Sequence, residues 1–89
     1  MSFSFDVSDN FRRRLNKLAR KDQVLASAVD NKIKQIIACD EISIQHFKNL
    51  KGDMSHLKRV RIGSFVLKFK VKGDAVIFED FVHHKNAYK

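Results

Sequence analysis

The chain has 89 residues and a formal net charge of +8, from 18 Lys and Arg against 10 Asp and Glu. That length supports one domain around a single core, and the excess of cations favours a polyanionic partner: nucleic acid, an acidic protein or an anionic membrane surface. Cys39 is the only cysteine, so an intramolecular disulfide is excluded; no apolar run approaches the ~20 residues of a membrane-spanning helix. With no basic leader in Met1–Asp6, the expectation is a cytoplasmic protein in a reducing compartment.

Phe3, Phe5 and Val7 alternate with polar residues, as in a short half-buried strand. Ser8 is placed to cap a helix, with Asp9 in its first turn. Phe11, Leu15 and Leu18 then recur at helical spacing, while Arg12, Arg13, Arg14 and Lys17 take the other faces. A break is expected around Arg20-Lys21-Asp22. Leu25, Val29, Ile33, Ile36 and Ile37 form the apolar stripe of a second helix, making a helical hairpin. Cys39 reads as a small apolar residue near that helix's end rather than a catalytic thiol. In the stretch from Asp40 to Asp53, Ile44, Phe47 and Leu50 are placed to anchor a loop on the core, and Lys51-Gly52-Asp53 marks a turn.

From Leu57 the period changes from helical to alternating. Leu57–Ile62 reads as a strand, Gly63-Ser64 as a tight reversal, and Phe65–Lys72 as a second strand. Lys72-Gly73-Asp74 turns the chain again into the apolar run Ala75–Val82. The fold class expected is α+β: an antiparallel-rich sheet of about four strands, in the order β-α-α-β-β-β, with the helical hairpin packed on one face. All 89 residues belong to one domain in this reading.

Alternation decides where the charges go. If Val60 and Ile62 enter the core, Arg59 and Arg61 project from the opposite face. If Phe65, Leu67, Phe69 and Val71 enter it, Lys68, Lys70 and Lys72 join them. Arginine's planar fork matches two phosphate oxygens at once. The bland alternative is a solvated strand face that discourages aggregation. The tail adds His83 and His84 after the last strand and Tyr88 a few residues on. Histidine exchanges protons near neutral pH, so these groups and the arginines could serve metal-free RNA cleavage. No metal site or cofactor is expected, since neighbouring His83 and His84 diverge if the strand runs through them.

Three segments resemble the RelE/ParE toxin superfamily: Phe47-Lys-Asn-Leu-Lys-Gly52, Leu57-Lys-Arg-Val-Arg-Ile-Gly-Ser-Phe65 and Val82-His-His-Lys-Asn-Ala-Tyr88. The resemblance implies a RelE-like fold and a ribosome-dependent endoribonuclease that cuts mRNA by 2′-hydroxyl attack and so represses translation. It implies a cognate antitoxin, possible hetero-oligomers with that antitoxin, contact with mRNA and ribosome, and no membrane partner. By position, Arg59 and Arg61 match the family's two basic strand residues and Tyr88 its C-terminal tyrosine. With His83 and His84 these are the catalytic candidates; Lys51, Lys58, Lys68, Lys70 and Lys85 are the candidates for binding RNA phosphate.

The chain departs from the pattern at two places. Val66 stands where an arginine usually follows the aromatic residue, and His84 where an arginine usually follows the histidine. Lys68 is then the expected substitute cation and His84 an acid or base. The departures keep two alternatives open: a ParE-like toxin acting on DNA gyrase, and a non-catalytic RNA-binding member.

Overall fold

The structure, a computed structural model, describes residues 3–50 and 56–87. Strand β1 (Ser4–Val7) leads into helix α1 (Asp9–Lys21) and helix α2 (Gln23–Ile37). A short helix α3 (Glu41–Ile44) precedes strands β2 (Lys58–Ile62), β3 (Phe65–Lys72) and β4 (Ala75–His83), and one helical turn, α4 (His84–Ala87), follows.

The helix ends are set by polar side chains. Ser8 Oγ accepts from the Phe11 amide at 3.0 Å and donates to the Glu79 carbonyl at 2.6 Å, so the cap also ties α1 to β4. Asp22 closes α1 and opens α2, its carboxylate accepting from the Leu25 amide at 3.0 Å. The hairpin therefore breaks where the sequence places its break.

The four strands form one sheet in the order β1-β4-β3-β2. β2–β3 and β3–β4 are antiparallel, whereas β1 lies parallel to β4 with Val7 opposite Phe78. The sheet is thus antiparallel-rich but mixed. The first strand pairs with the last because the hairpin carries the chain across the sheet before the three-strand meander begins.

Both helices cover one face. Phe11, Val29, Ile33 and Ile36 pack with Ile62, Leu67, Phe69, Val76, Phe78 and Phe81 in one apolar cluster. Phe78 lies at its centre, with ring centroids 5.8 Å from Phe11 and 5.9 Å from Phe69. Ile44 and Leu50 are buried, and Phe47 sets its ring edge-on to Phe69 at 5.5 Å. The expected anchors of that stretch are therefore seated, with α3 as an added helical turn. Its last described residues run along the outer edge of β2: Arg59 donates to the Lys48 carbonyl and Leu50 to that of Leu57. That pairing leaves fewer bare strand-edge groups. The expected turn at Lys51-Gly52-Asp53 lies outside the described residues.

Cys39 is half-buried, its thiol 3.4 Å from the Gln35 carbonyl. Among the described residues no helix is long and apolar enough to cross a membrane.

Candidate active site

Residues directly opposite one another in a sheet share a face. Arg59 lies opposite Lys68 and Arg61 opposite Val66; on the next strand Lys68 faces Asp80 and Val66 faces Val82. These six residues occupy the side turned away from the helices. Lys70 and Lys72 continue the row along β3. A bulge between Lys68 and Phe69 in the pairing with β4 leaves Glu79 without a partner, and its carboxylate meets Lys70 Nζ at 3.0 Å. Asp80 is likewise engaged, accepting from its neighbour's amide on Phe81 at 2.8 Å and from Arg14 Nε of α1 at 3.0 Å.

The β2–β3 reversal brings the tail into this region. Gly63 has φ +59° and Ser64 does not have a positive φ, the pattern of a two-residue hairpin turn with glycine first. The turn's two carbonyls point to different donors. Arg61 Nε donates to the Gly63 oxygen at 3.1 Å. His84 reaches the Ser64 oxygen twice, from its backbone amide at 2.9 Å and from Nδ1 at 3.2 Å.

Those contacts assign the protons. A carbonyl oxygen only accepts, so His84 Nδ1 carries hydrogen and, in the neutral ring, Nε2 keeps a lone pair. His83 is arranged in the opposite sense. Its Nδ1 lies 3.3 Å from the Lys85 amide, which only donates, so the neutral ring carries hydrogen on Nε2. The rings stack at 4.9 Å with 30° between their planes. One imidazole is therefore set to accept a proton at Nε2 and its neighbour to donate a hydrogen bond from Nε2.

No family model matches the chain. A protein of Methanocaldococcus jannaschii that carries the toxin name RelE4 is 34% identical over 90 residues, covering 98% of this chain and 92% of the relative. This chain belongs to the RelE/ParE toxin superfamily. A Methanosarcina mazei protein without an assigned activity is 35% identical over 78 residues, 84% of this chain and 86% of its own. Among solved structures, YafQ of Escherichia coli superposes with TM-score 0.75 at 13% identity, over 98% of this chain and 99% of YafQ. A chain of the RelBE2 toxin-antitoxin complex of Mycobacterium tuberculosis gives 0.71 at 17% identity, over 94% of this chain and 100% of its own. At these identities the two structures share the fold.

Within this RelE/ParE member the predicted site residues part company. Arg59, Arg61 and Lys68 share one face, and His84 joins Arg61 at the Gly63-Ser64 turn. Lys58 does not join them. It lies opposite Phe69 on the core side, is only 7% exposed, and its Nζ reaches the Phe47 carbonyl at 3.3 Å and Asn49 Oδ1 at 3.1 Å. One step along a strand reverses the face, so placing Lys58 with Arg59 as a phosphate ligand is corrected. Lys68 holds the expected face yet is only 6% exposed, so its stem is covered rather than projecting. His83 and His84 stack instead of diverging, because the strand ends at His83 and the chain turns into α4. Lys85 is exposed, and Lys51 and Tyr88 lie outside the described residues.

Alternation does not reveal the Gly63 and Ser64 carbonyls, since a backbone acceptor leaves no side-chain signal. Asp80, which lies within the apolar run Ala75–Val82, carries no site signal in the sequence.

Proposed function

We propose that the chain is the toxin of a type II toxin-antitoxin pair and a ribosome-dependent endoribonuclease that cuts mRNA in the cytoplasm. The relative bearing a RelE name and the YafQ and RelBE2 folds support the toxin reading. The reading of the reaction is carried by one observation: Arg61 and His84 are bound to consecutive carbonyls of the same turn.

In this reaction the RNA's 2′-oxygen attacks the adjacent phosphorus and loses its proton to His84 Nε2. The bond from phosphorus to the 5′-oxygen breaks, and that oxygen takes a proton from water, the neutral His83 ring offering it only a hydrogen bond from Nε2. The products are a 2′,3′-cyclic phosphate and a 5′-hydroxyl. Positioned acid and base groups contribute about 10²–10⁴-fold each. Arg61, with Arg59 beside it, stabilises the charge that builds on the phosphorane oxygens. Tyr88, by its place in the family pattern, stacks on or orients a base. Lys68 and Lys85 add cationic field, and Lys70 contributes less while paired with Glu79.

A cognate antitoxin is the partner that holds the toxin in check, forming a hetero-oligomer through the basic face. One observation favours a second reading. Val66, at the position of a usual phosphate-binding arginine, is 1% exposed, so that point offers neither charge nor access. A ParE-like toxin acting on gyrase needs no cation there.

Induced expression separates the two. New mRNA 5′ ends mapped by primer extension, at codon positions and lost in Arg61→Ala and His84→Ala, are the expected result. Intact messages with impaired gyrase supercoiling would overturn it in favour of the second reading.

A further inference from the structure

The RNA site uses β2, β3 and the tail, but leaves out the most cationic element of the chain. α1 carries Arg12, Arg13, Arg14, Lys17, Arg20 and Lys21 against the single acid Asp9, and all six cationic residues are exposed. Arg14, Lys17 and Lys21 follow i, i+3, i+7 spacing, one stripe running about 10 Å along the helix.

That stripe overhangs a cleft of about 230 Å³ lined by Arg14, Lys17, Leu18, Lys21, Phe65 and Phe81. Its aromatic wall is built from stacked rings, Phe65 on Phe81 with centroids 4.8 Å apart and planes 14° apart. Arg14 is steadied at the rim by Asp80 at 3.0 Å. The volume suits a single ring rather than a whole cofactor.

Ring contacts link the wall of this cleft, on the helix side of the sheet, to the tail histidines of the candidate active site. Phe65 meets His83 edge-on at 5.4 Å, and His83 stacks on His84. A strand leaving the scissile phosphate at His84 thus meets an aromatic wall and then a cationic rim. Stacking surface combined with a positive rail is what single-stranded nucleic acid needs from a sequence-tolerant site. An acidic peptide would use the cations but gain little from the rings.

We propose that this cleft is a subsite for a nucleotide flanking the cleaved bond: its base lies against Phe65, and Lys17 and Lys21 hold its phosphate. The proposal rests on the nuclease reading above and extends the bound RNA from the sheet onto α1.

The test uses the full chain and uncleavable 2′-O-methyl oligonucleotides of three and eight nucleotides, with binding read by fluorescence anisotropy at several salt concentrations. The eight-mer is expected to bind the wild type at least tenfold more tightly than the three-mer. Lys17→Ala/Lys21→Ala should erase that advantage and lower the slope of log affinity against log salt by about 0.7, the share of one phosphate. It should leave three-mer binding unchanged, whereas Arg61→Ala weakens both probes. Phe65→Leu, which keeps an apolar side chain, should lose part of the eight-mer advantage while keeping the salt slope.

Eight-mer affinity unchanged in the double variant, with cleavage in cells intact, overturns the subsite and spares the nuclease. Failure of the wild type to bind either probe overturns the subsite, whereas the nuclease falls only if induced cells show no new mRNA 5′ ends. Perturbation of Lys17 and Lys21 by a glutamate-rich peptide but not by the eight-mer also overturns the subsite.

Discussion

Arg61 and His84 are held by neighbouring carbonyls of one reversal: the guanidinium Nε donates to Gly63 and the imidazole Nδ1 to Ser64. A residue of β2 and the first residue of α4 thereby share an anchor. The anchor also decides which nitrogen of His84 is free to accept a proton.

That assignment separates two roles in His84. Asparagine can place its amide N–H where Nδ1 lies but has nothing at Nε2. His84→Asn should therefore keep the Ser64 contact and the urea midpoint of the wild type, while cleavage falls by about 10²–10⁴-fold. An unaltered cleavage rate measured on translating ribosomes would remove His84 from the chemistry. Imidazole ¹⁵N shifts of the wild type should report hydrogen on Nδ1 of His84 and on Nε2 of His83.

Lys58 and Arg61 belong to the same strand yet should behave oppositely. Lys58→Met removes hydrogen bonds to the Phe47 carbonyl and Asn49, and should lower stability by about 1–3 kcal/mol without changing the salt slope of RNA binding. Arg61→Ala should lower that slope by about 0.7 and leave the unfolding midpoint nearly unchanged. Urea unfolding and anisotropy titrations on the same two samples check both halves.

The turn itself depends on glycine. A Cβ at Gly63 would meet only Leu25 Cδ1, at 3.9 Å, so space is not the obstacle. The left-handed φ is: Gly63→Ala should cost about 1–2 kcal/mol, and Gly63→Asn less. Because Gly63 and Ser64 hold Arg61 and His84, cleavage should fall further than the lost folded fraction accounts for, a difference visible in rates measured well below the melting temperature.

At α3 the Ser43 amide, 2.7 Å from Asp40 Oδ1, holds the Asp40 carboxyl below its ordinary value. The charged form is the one the fold favours. Its support is complete above the ordinary aspartate range and disappears as pH falls through Asp40's own lower value. The Ser43 amide shift should follow that titration, and Asp40→Asn should abolish its acid dependence while keeping a cap.

Alternation and helical period made much of this legible in the sequence. Phe11 marks the buried face of α1 and Val29 and Ile33 that of α2, Ser8 marks a cap and Arg20-Lys21-Asp22 the break between the helices, and the Arg59–Arg61 spacing puts two cations on one side of a strand. Those are local rules, repeated every two or 3.6 residues, and they need no partner to operate. The same rules did not foresee that Lys58 would find two acceptors inside, because those acceptors come from the separate segment around Phe47 and Asn49.

The pairing of β1 with β4, the bulge that engages Glu79 with Lys70, and the meeting of Arg61 with His84 were decided only by tertiary structure. Each depends on a backbone group whose hydrogen-bonding capacity is the same in every residue, so its partner is chosen by proximity after the sheet has formed. Side-chain type along the chain determined which surfaces are apolar and which are charged; the folded backbone decided which charges meet.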